Sequence, residues 1–135
     1  EADLRKQAVH FGVAPRIRFL GWWDNPAALY AAADLVVCPS RIEPLGNVVL
    51  EAWARQRPIV AAAADGPREL IRDGENGLLV PMDDPGALAA AINRVLSSPA
   101  AAQAMVTNAH DDYMADYSEG VVVAKYLEFF NQVAG

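Results

Sequence analysis

The chain has 135 residues, 53% hydrophobic and 21% charged, with 11 basic against 17 acidic side chains and a net charge of −6. That is about one domain of globular chain, able to bury roughly two thirds of its unfolded surface and too apolar for disorder. The longest apolar run, Ala27 to Ala33, is seven residues against the ~18 a membrane span needs, no Lys/Arg block offers DNA or RNA a footprint, and the single cysteine, Cys38, excludes an internal disulfide and a multi-cysteine zinc site.

Leu4, Ala8 and Phe11 at helical spacing predict a helix over 2–11, stopped by Gly12. Residues 17–20 predict a strand ending at Gly21, and Pro26 opens a short helix to about Ala33. Four apolar residues, Leu35 to Cys38, fit a buried parallel strand, followed by a loop from Pro39 to Gly46. A helix is expected from Asn47 to about Arg55, a strand over 59–62, a short helix opened by Asp65–Pro67, a turn at Asp73–Gly74 and a strand over 78–80. Asp84–Pro85 is an N-cap followed by proline at the first helical position, and Leu88, Ile92, Val95 and Leu96 share one face of the helix it starts. Residues 100–115 read as a polar-faced helix, and 119–133 as a last helix with Val122, Tyr126, Phe129, Phe130 and Val133 on one stripe. Strands alternating with helices argue for βαβ units, hence an α/β fold with a Rossmann-like parallel sheet flanked by helices. No repeat or linker divides 1–135, which reads as one domain. No signal or transit peptide is visible. Glu1 falls in what reads as mid-helix, so the chain is expected to be a piece of a longer protein.

The segment Arg41–Glu51, R-I-E-P-L-G-N-V-V-L-E, runs from a strand's carboxyl end through a loop into a helix. Ligands of open parallel sheets sit at such ends. Gly46 lets the backbone approach a ligand, and the free amides of residues 46–49 together with the helix dipole favour an anion there. Glu43 and Glu51 flank that helix start, which suits a ligand with a phosphate in the middle and hydroxyls at both ends. Both carboxylates could equally do no more than complement the helix dipole, and the residues alone leave both readings open. Elsewhere, His10 and His110 lack a third metal ligand nearby, Cys38 reads as core, and Ser40 as a loop hydroxyl. Arg68 and Arg72, beside Glu69 and Asp73, read as solvated helix-face pairs, and the acidic run Asp111–Asp112 to Glu119 as a solvated face. The absence of G-x-G-x-x-G weakens a dinucleotide dehydrogenase.

E-P-L-G-N-V-V-L-E-A resembles the E-x7-E motif of the retaining glycosyltransferases of family 4, which have the two-Rossmann-domain GT-B architecture. Arg18–Gly21, Ala33–Val37, Pro39–Ser40, Pro58–Ala61 and Asp73–Pro81 follow in that family's order, so the resemblance covers nearly the whole chain. It implies that Glu43 contacts hydroxyls of the transferred sugar. The backbone of Leu45, Gly46 and Asn47 would touch that sugar and the β-phosphate. Val48 would offer its amide to the phosphates, and Glu51 would hold the ribose hydroxyls. The loop Trp22–Trp23–Asp24–Asn25 would lie beside the base, with packing under a neighbouring lobe as the equal alternative for the two tryptophans.

Three positions depart from the family's pattern. Gln56 stands where glycine commonly forms a left-handed helix cap, Ala64–Pro67 keeps one glycine where two are frequent, and Glu119 replaces a frequent tryptophan. The family's first strand–helix units, the arginine and lysine that serve the diphosphate, and the acceptor-binding domain have no counterpart in these residues. The resemblance therefore implies a partial nucleotide-sugar-binding domain over 1–135, inactive alone, from a hexosyltransferase of carbohydrate biosynthesis. Its donor would be a nucleotide diphosphate sugar, with an acceptor of unknown identity, no metal and no other cofactor. The parent is expected to be cytoplasmic or peripheral to a membrane, and surface left uncovered here is expected to self-associate. A non-catalytic nucleotide-sugar-binding or regulatory domain of the same fold is the alternative. A sugar-nucleotide epimerase would not be expected to carry the motif.

Overall fold

The computed structural model describes residues 1–134. Seven helices and three strands follow one another as α1 (Ala2–His10), α2 (Ala27–Ala32), β1 (Val36–Cys38), α3 (Asn47–Ala54), β2 (Ile59–Ala62), α4 (Asp65–Leu70), β3 (Leu78–Val80), α5 (Pro85–Ser97), α6 (Pro99–Asp112) and α7 (Glu119–Ala134). A 3₁₀ turn covers Ala14–Arg16, and a π-helical turn, Tyr113–Tyr117, joins the last two helices.

The strands form one parallel sheet in the order β1-β2-β3, with Val36 opposite Ile59 and Val60 opposite Leu78. Parallel neighbours need a crossover, and α3 and α4 supply the two. Strand side chains alternate between faces, so the central strand divides its own residues between two cores. Ile59 and Ala61 join Cys38, Val49, Ala52, Trp53, Ile71 and Ala109 on one side. Val60 joins Leu78, Val80, Val95 and Met105 on the other. All four residues of β2 are buried, which is why this strand reads as an unbroken apolar run.

Local chemistry sets the helix ends. Asp84 accepts the Ala87 amide at 2.8 Å, with Pro85 at the first helical position. Helix α3 closes with the Gln56 amide donating to Trp53 O at 3.1 Å and the Arg57 amide to Ala52 O at 2.9 Å. Those two bonds form a Schellman cap, which requires a left-handed residue, and Gln56 occupies it at φ +53°.

Several expectations are corrected. Residues 17–20 form no strand. A strand exists only by pairing, this segment pairs with none of the described strands, and Ile17 and Leu20 stay partly exposed. In α5, Leu88 and Ile92 pack with Val95, but Leu96 faces outward. Arg72 pairs with neither Glu69 nor Asp73: it reaches Glu75 at 2.9 Å and Asp112 at 2.8 Å. Asp112 is therefore no solvated face, since it also accepts the Asn76 side-chain amide at 2.7 Å. Arg68 donates to Ala63 O instead of pairing with a carboxylate. The aromatic stripe of α7 is in place, but Tyr126, Phe129, Phe130 and Val133 remain exposed. No helix among the described residues is long and apolar enough to cross a membrane.

Candidate functional site

Strand β1 ends at Cys38, whose buried thiol lies 3.6 Å from the Ser40 hydroxyl, and the loop to α3 begins there. Gly46 ends that loop as the N-cap of α3 at φ +71°, the left-handed region that glycine enters at no steric cost. The Glu43 carboxylate turns back along the loop, and its Oε1 accepts the Gly46 amide at 3.0 Å. Glu43 is thus half-buried and tied to the helix start, not a freely solvated acid.

This bond changes the count of free amides. Of residues 46–49, Gly46 donates to Glu43 and Val49 donates to Gly46 O at 2.8 Å. The amides of Asn47 and Val48 are the pair with no acceptor among the described residues. They point along the positive end of the helix dipole, where an anion is favoured. The Leu45 side chain is 70% exposed, so this loop offers its backbone from a solvent-facing position. The Val48 side chain packs on the core, leaving only its amide for a ligand.

Glu51 sits eight residues after Glu43 and occupies a different place. With Asn47, Leu50, Ala54, Arg55, Tyr113 and Tyr117 it lines a groove of about 250 Å³. Glu43 is not in that lining, so the structure joins Asn47 to Glu51 and, separately, Glu43 to Gly46. Across the helix, Tyr30 of α2 faces Glu51. Burial, and then the neighbouring Glu51 carboxylate, push the Tyr30 phenol up to about 12. The phenol thus stays protonated beside the Glu51 carboxylate. The Arg55 guanidinium lies over the Tyr30 ring at 4.9 Å, which holds the same pair from a second side.

The loop ahead of α2 makes its own contacts. Trp22 Nε1 donates to Asp24 Oδ1 at 2.8 Å, and Asn25 Oδ1 accepts the Ala27 amide at 3.1 Å. Trp22 is 91% exposed and Trp23 50%, so neither packs in the core. Among the described residues this loop makes no hydrogen bond to Glu43 or Glu51. Among the described residues no cluster of three or more His, Cys, Asp or Glu could hold a metal ion. His110 instead faces Trp53 O, with Nδ1 at 3.3 Å.

Two features escaped sequence reasoning. Tyr113 and Tyr117 reach the groove because a π-helical turn re-aims them after α6, and no periodicity signals such a turn. Asn76, 1% exposed, accepts the Arg72 amide at 2.8 Å, while its backbone oxygen takes Trp53 Nε1 at 3.1 Å. It ties the turn before β3 to α3 and, through Asp112, to the end of α6.

The chain is similar to known proteins over most of its length. The description "Glycosyl transferases group 1" fits residues 1–98. The lipopolysaccharide core biosynthesis glycosyltransferase LpsE of Rhizobium meliloti is 36% identical over 93% of the chain, which covers 37% of LpsE. The crystal structure of HepE from Anabaena in complex with UDP superposes with a TM-score of 0.92 at 30% identity, over 97% of this chain and 36% of HepE. A crystal structure of the C-terminal domain of the group 1 glycosyltransferase LpcC from Francisella tularensis gives 0.79 at 27% identity, over 87% of this chain and 62% of that one. The chain spans little more than a third of LpsE and HepE. With a parallel sheet, a helix start at a strand's carboxyl end and a match over most of its length, the chain belongs to the glycosyl transferases group 1 family.

Proposed function

We propose that this chain is the donor-binding part of a retaining glycosyltransferase that moves a hexosyl group from a nucleotide diphosphate sugar to an acceptor. The observation that carries the reading is Glu51. Its carboxylate stands near the Tyr30 phenol and lines a groove that opens next to the first turn of α3. A fixed carboxylate is a strong acceptor for the paired hydroxyls of a ribose. The Asn47 and Val48 amides then meet the phosphate, and the loop Trp23–Asp24–Asn25 lies on the side of the base. Glu43 spends Oε1 on Gly46 and keeps Oε2 for hydroxyls of the transferred sugar, on the face where the acceptor attacks as the nucleotide leaves. Charge growing on the leaving diphosphate needs more than one helix start, so efficient transfer calls for cations from another part of the protein. UDP, the nucleotide held by HepE, is the natural probe.

Calorimetric titration with UDP and GDP tests this. Binding should be weak and metal-independent. Glu51→Ala should lower affinity about ten- to a hundredfold, the usual cost of a charge-assisted hydrogen bond, and Glu43→Ala should lower it less. The diphosphate should gain little over the nucleoside. A Glu43→Ala variant that loses all affinity while Glu51→Ala keeps it would overturn the assignment.

A further inference from the structure

Gly66, the second residue of α4, has ordinary backbone angles, so its lack of a side chain is not explained by torsion. Space explains it. A Cβ built there would stand 2.6 Å from the Leu45 carbonyl carbon and 2.7 Å from the Glu43 oxygen, with the Gly46 nitrogen also in its way. All three are backbone atoms, which cannot rotate aside as a side chain can. The approach is reciprocal, since a Cβ on Gly46 would lie 3.1 Å from Gly66 C and 3.3 Å from Gly66 O. The Gly66 amide also donates to Glu43 O at 2.8 Å. Two stretches of bare backbone therefore face each other, one from the loop after β1 and one from the start of α4.

We infer that Gly66 is a positioning residue for the donor loop, fixing where the Glu43 carboxylate and the first amides of α3 lie. The coupling runs through atoms in contact. Gly66 N–H holds Glu43 O, the Glu43 carboxylate holds Gly46 N–H, and Gly46 sets the direction in which the Asn47 and Val48 amides point. Any side chain at 66 pushes the loop outward by about an ångström, a scale on which site geometry is sensitive. The consequence for ligands rests on the donor-binding reading above, whereas the positioning itself does not.

Amide hydrogen exchange on the chain tests the two separately. In the wild type, the Gly46 and Gly66 amides should open together with one free energy, because neither loop can leave alone. In Gly66→Ala, Gly46 should lose about tenfold or more of its protection while Val60 and Ala61 of β2 keep theirs, and UDP affinity should fall about tenfold. Gly120→Ala, where a Cβ meets nothing within 4 Å, should change neither. A Gly66→Ala chain with unaltered Gly46 protection overturns the inference. So does a wild type in which Gly66 is protected and Gly46 exchanges freely, and this comparison decides the matter if the variant fails to fold. If Gly46 responds as expected but the wild type ignores UDP, the positioning stands and the donor-binding reading falls.

Discussion

Removing the Asn76 side chain should cost more than any surface change in this chain. Asn76→Ala deletes the bond from the Arg72 amide at 2.8 Å and the bond to the Asp112 carboxylate at 2.7 Å, while the contact to Leu70 O at 3.4 Å is too long to count for much. A neutral bond contributes about 1 kcal/mol and one to a charged acceptor about 1.5–3 kcal/mol. Asp112 is 28% exposed and keeps Arg72 Nη2 at 2.8 Å, so the lower end applies to it. The expected loss is about 2–3 kcal/mol, or roughly 10 °C in Tm for a domain of this size. Urea unfolding at neutral pH measures it. Asn76→Asp makes the test sharper: it keeps an acceptor for the Arg72 amide but sets a second carboxylate against Asp112. Two such groups resist joint ionisation, so this variant should be destabilised at pH 7 and recover as falling pH lets the pair share a proton. If Asn76→Ala lies within about 0.5 kcal/mol of the wild type, the network contributes nothing and the account of how α6 is anchored is wrong.

Gln56→Gly should stabilise the chain by about 0.5–1 kcal/mol, because glycine removes the left-handed penalty at φ +53° and returns only part of the gain to the unfolded state; chemical denaturation would detect it, and a loss of stability would refute the strain. Of the four tyrosines, one should titrate late, near 12, in a tyrosinate absorbance titration, and Tyr30→Phe should remove it. The folded state holds that proton more tightly than the unfolded chain, so the stability it contributes is complete below about pH 10 and lost as pH rises toward 12. Glu51→Gln should bring the late step down only in part, since burial is the larger cause. Arg41–Asp83, with side chains 76% and 60% exposed, should show a double-mutant coupling under about 1 kcal/mol that vanishes at high salt.

What could be read from the sequence was whatever is decided locally. The strands over 59–62 and 78–80 lie where their apolar runs put them, and Asp84–Pro85 caps α5 as such a pair must. Gln56 declared its strain by standing where a helix cap wants glycine. The failures share one cause, dependence on a distant partner. Residues 17–20 have strand composition but pair with no strand among the described residues. Arg72 passes over Glu69 and Asp73 for Glu75 and for Asp112, 40 residues away. The amides of 46–49 look equally free until Glu43 takes one of them. At the candidate site, the two glutamates and the glycine-led helix were legible. Tyr30, Tyr113 and Tyr117 were not, because α2 and a π-helical turn bring them in from elsewhere, and Gly66 was legible as a glycine of the pattern but not as a neighbour of the loop after β1.

The last helix makes a separate demand on the chain in solution. Tyr126, Leu127, Phe129 and Phe130 are 56–60% exposed and Val133 is 69% exposed, and none of them joins either core. Tyr126 stacks on Phe130 at 6.2 Å, and Phe129 meets Phe130 edge to face at 5.8 Å, so the rings order one another without being covered. Aromatic side chains carry about 150–250 Å² each, which puts this stripe near 500 Å² of contiguous apolar surface, the upper range for a monomer. Two copies meeting through it would hide about 1,000 Å², the lower bound for a specific interface, so association should be real but weak. Sedimentation should show the weight-average mass rising with concentration, and Phe129→Ser with Phe130→Ser should return it to the monomer without altering the helical circular dichroism. Those residues lie outside both cores, so the double variant should unfold at nearly the wild-type urea concentration. A wild type that stays strictly monomeric at high concentration would refute self-association through this face. A double variant that melts much earlier would mean that the stripe is packed on the chain's own core after all.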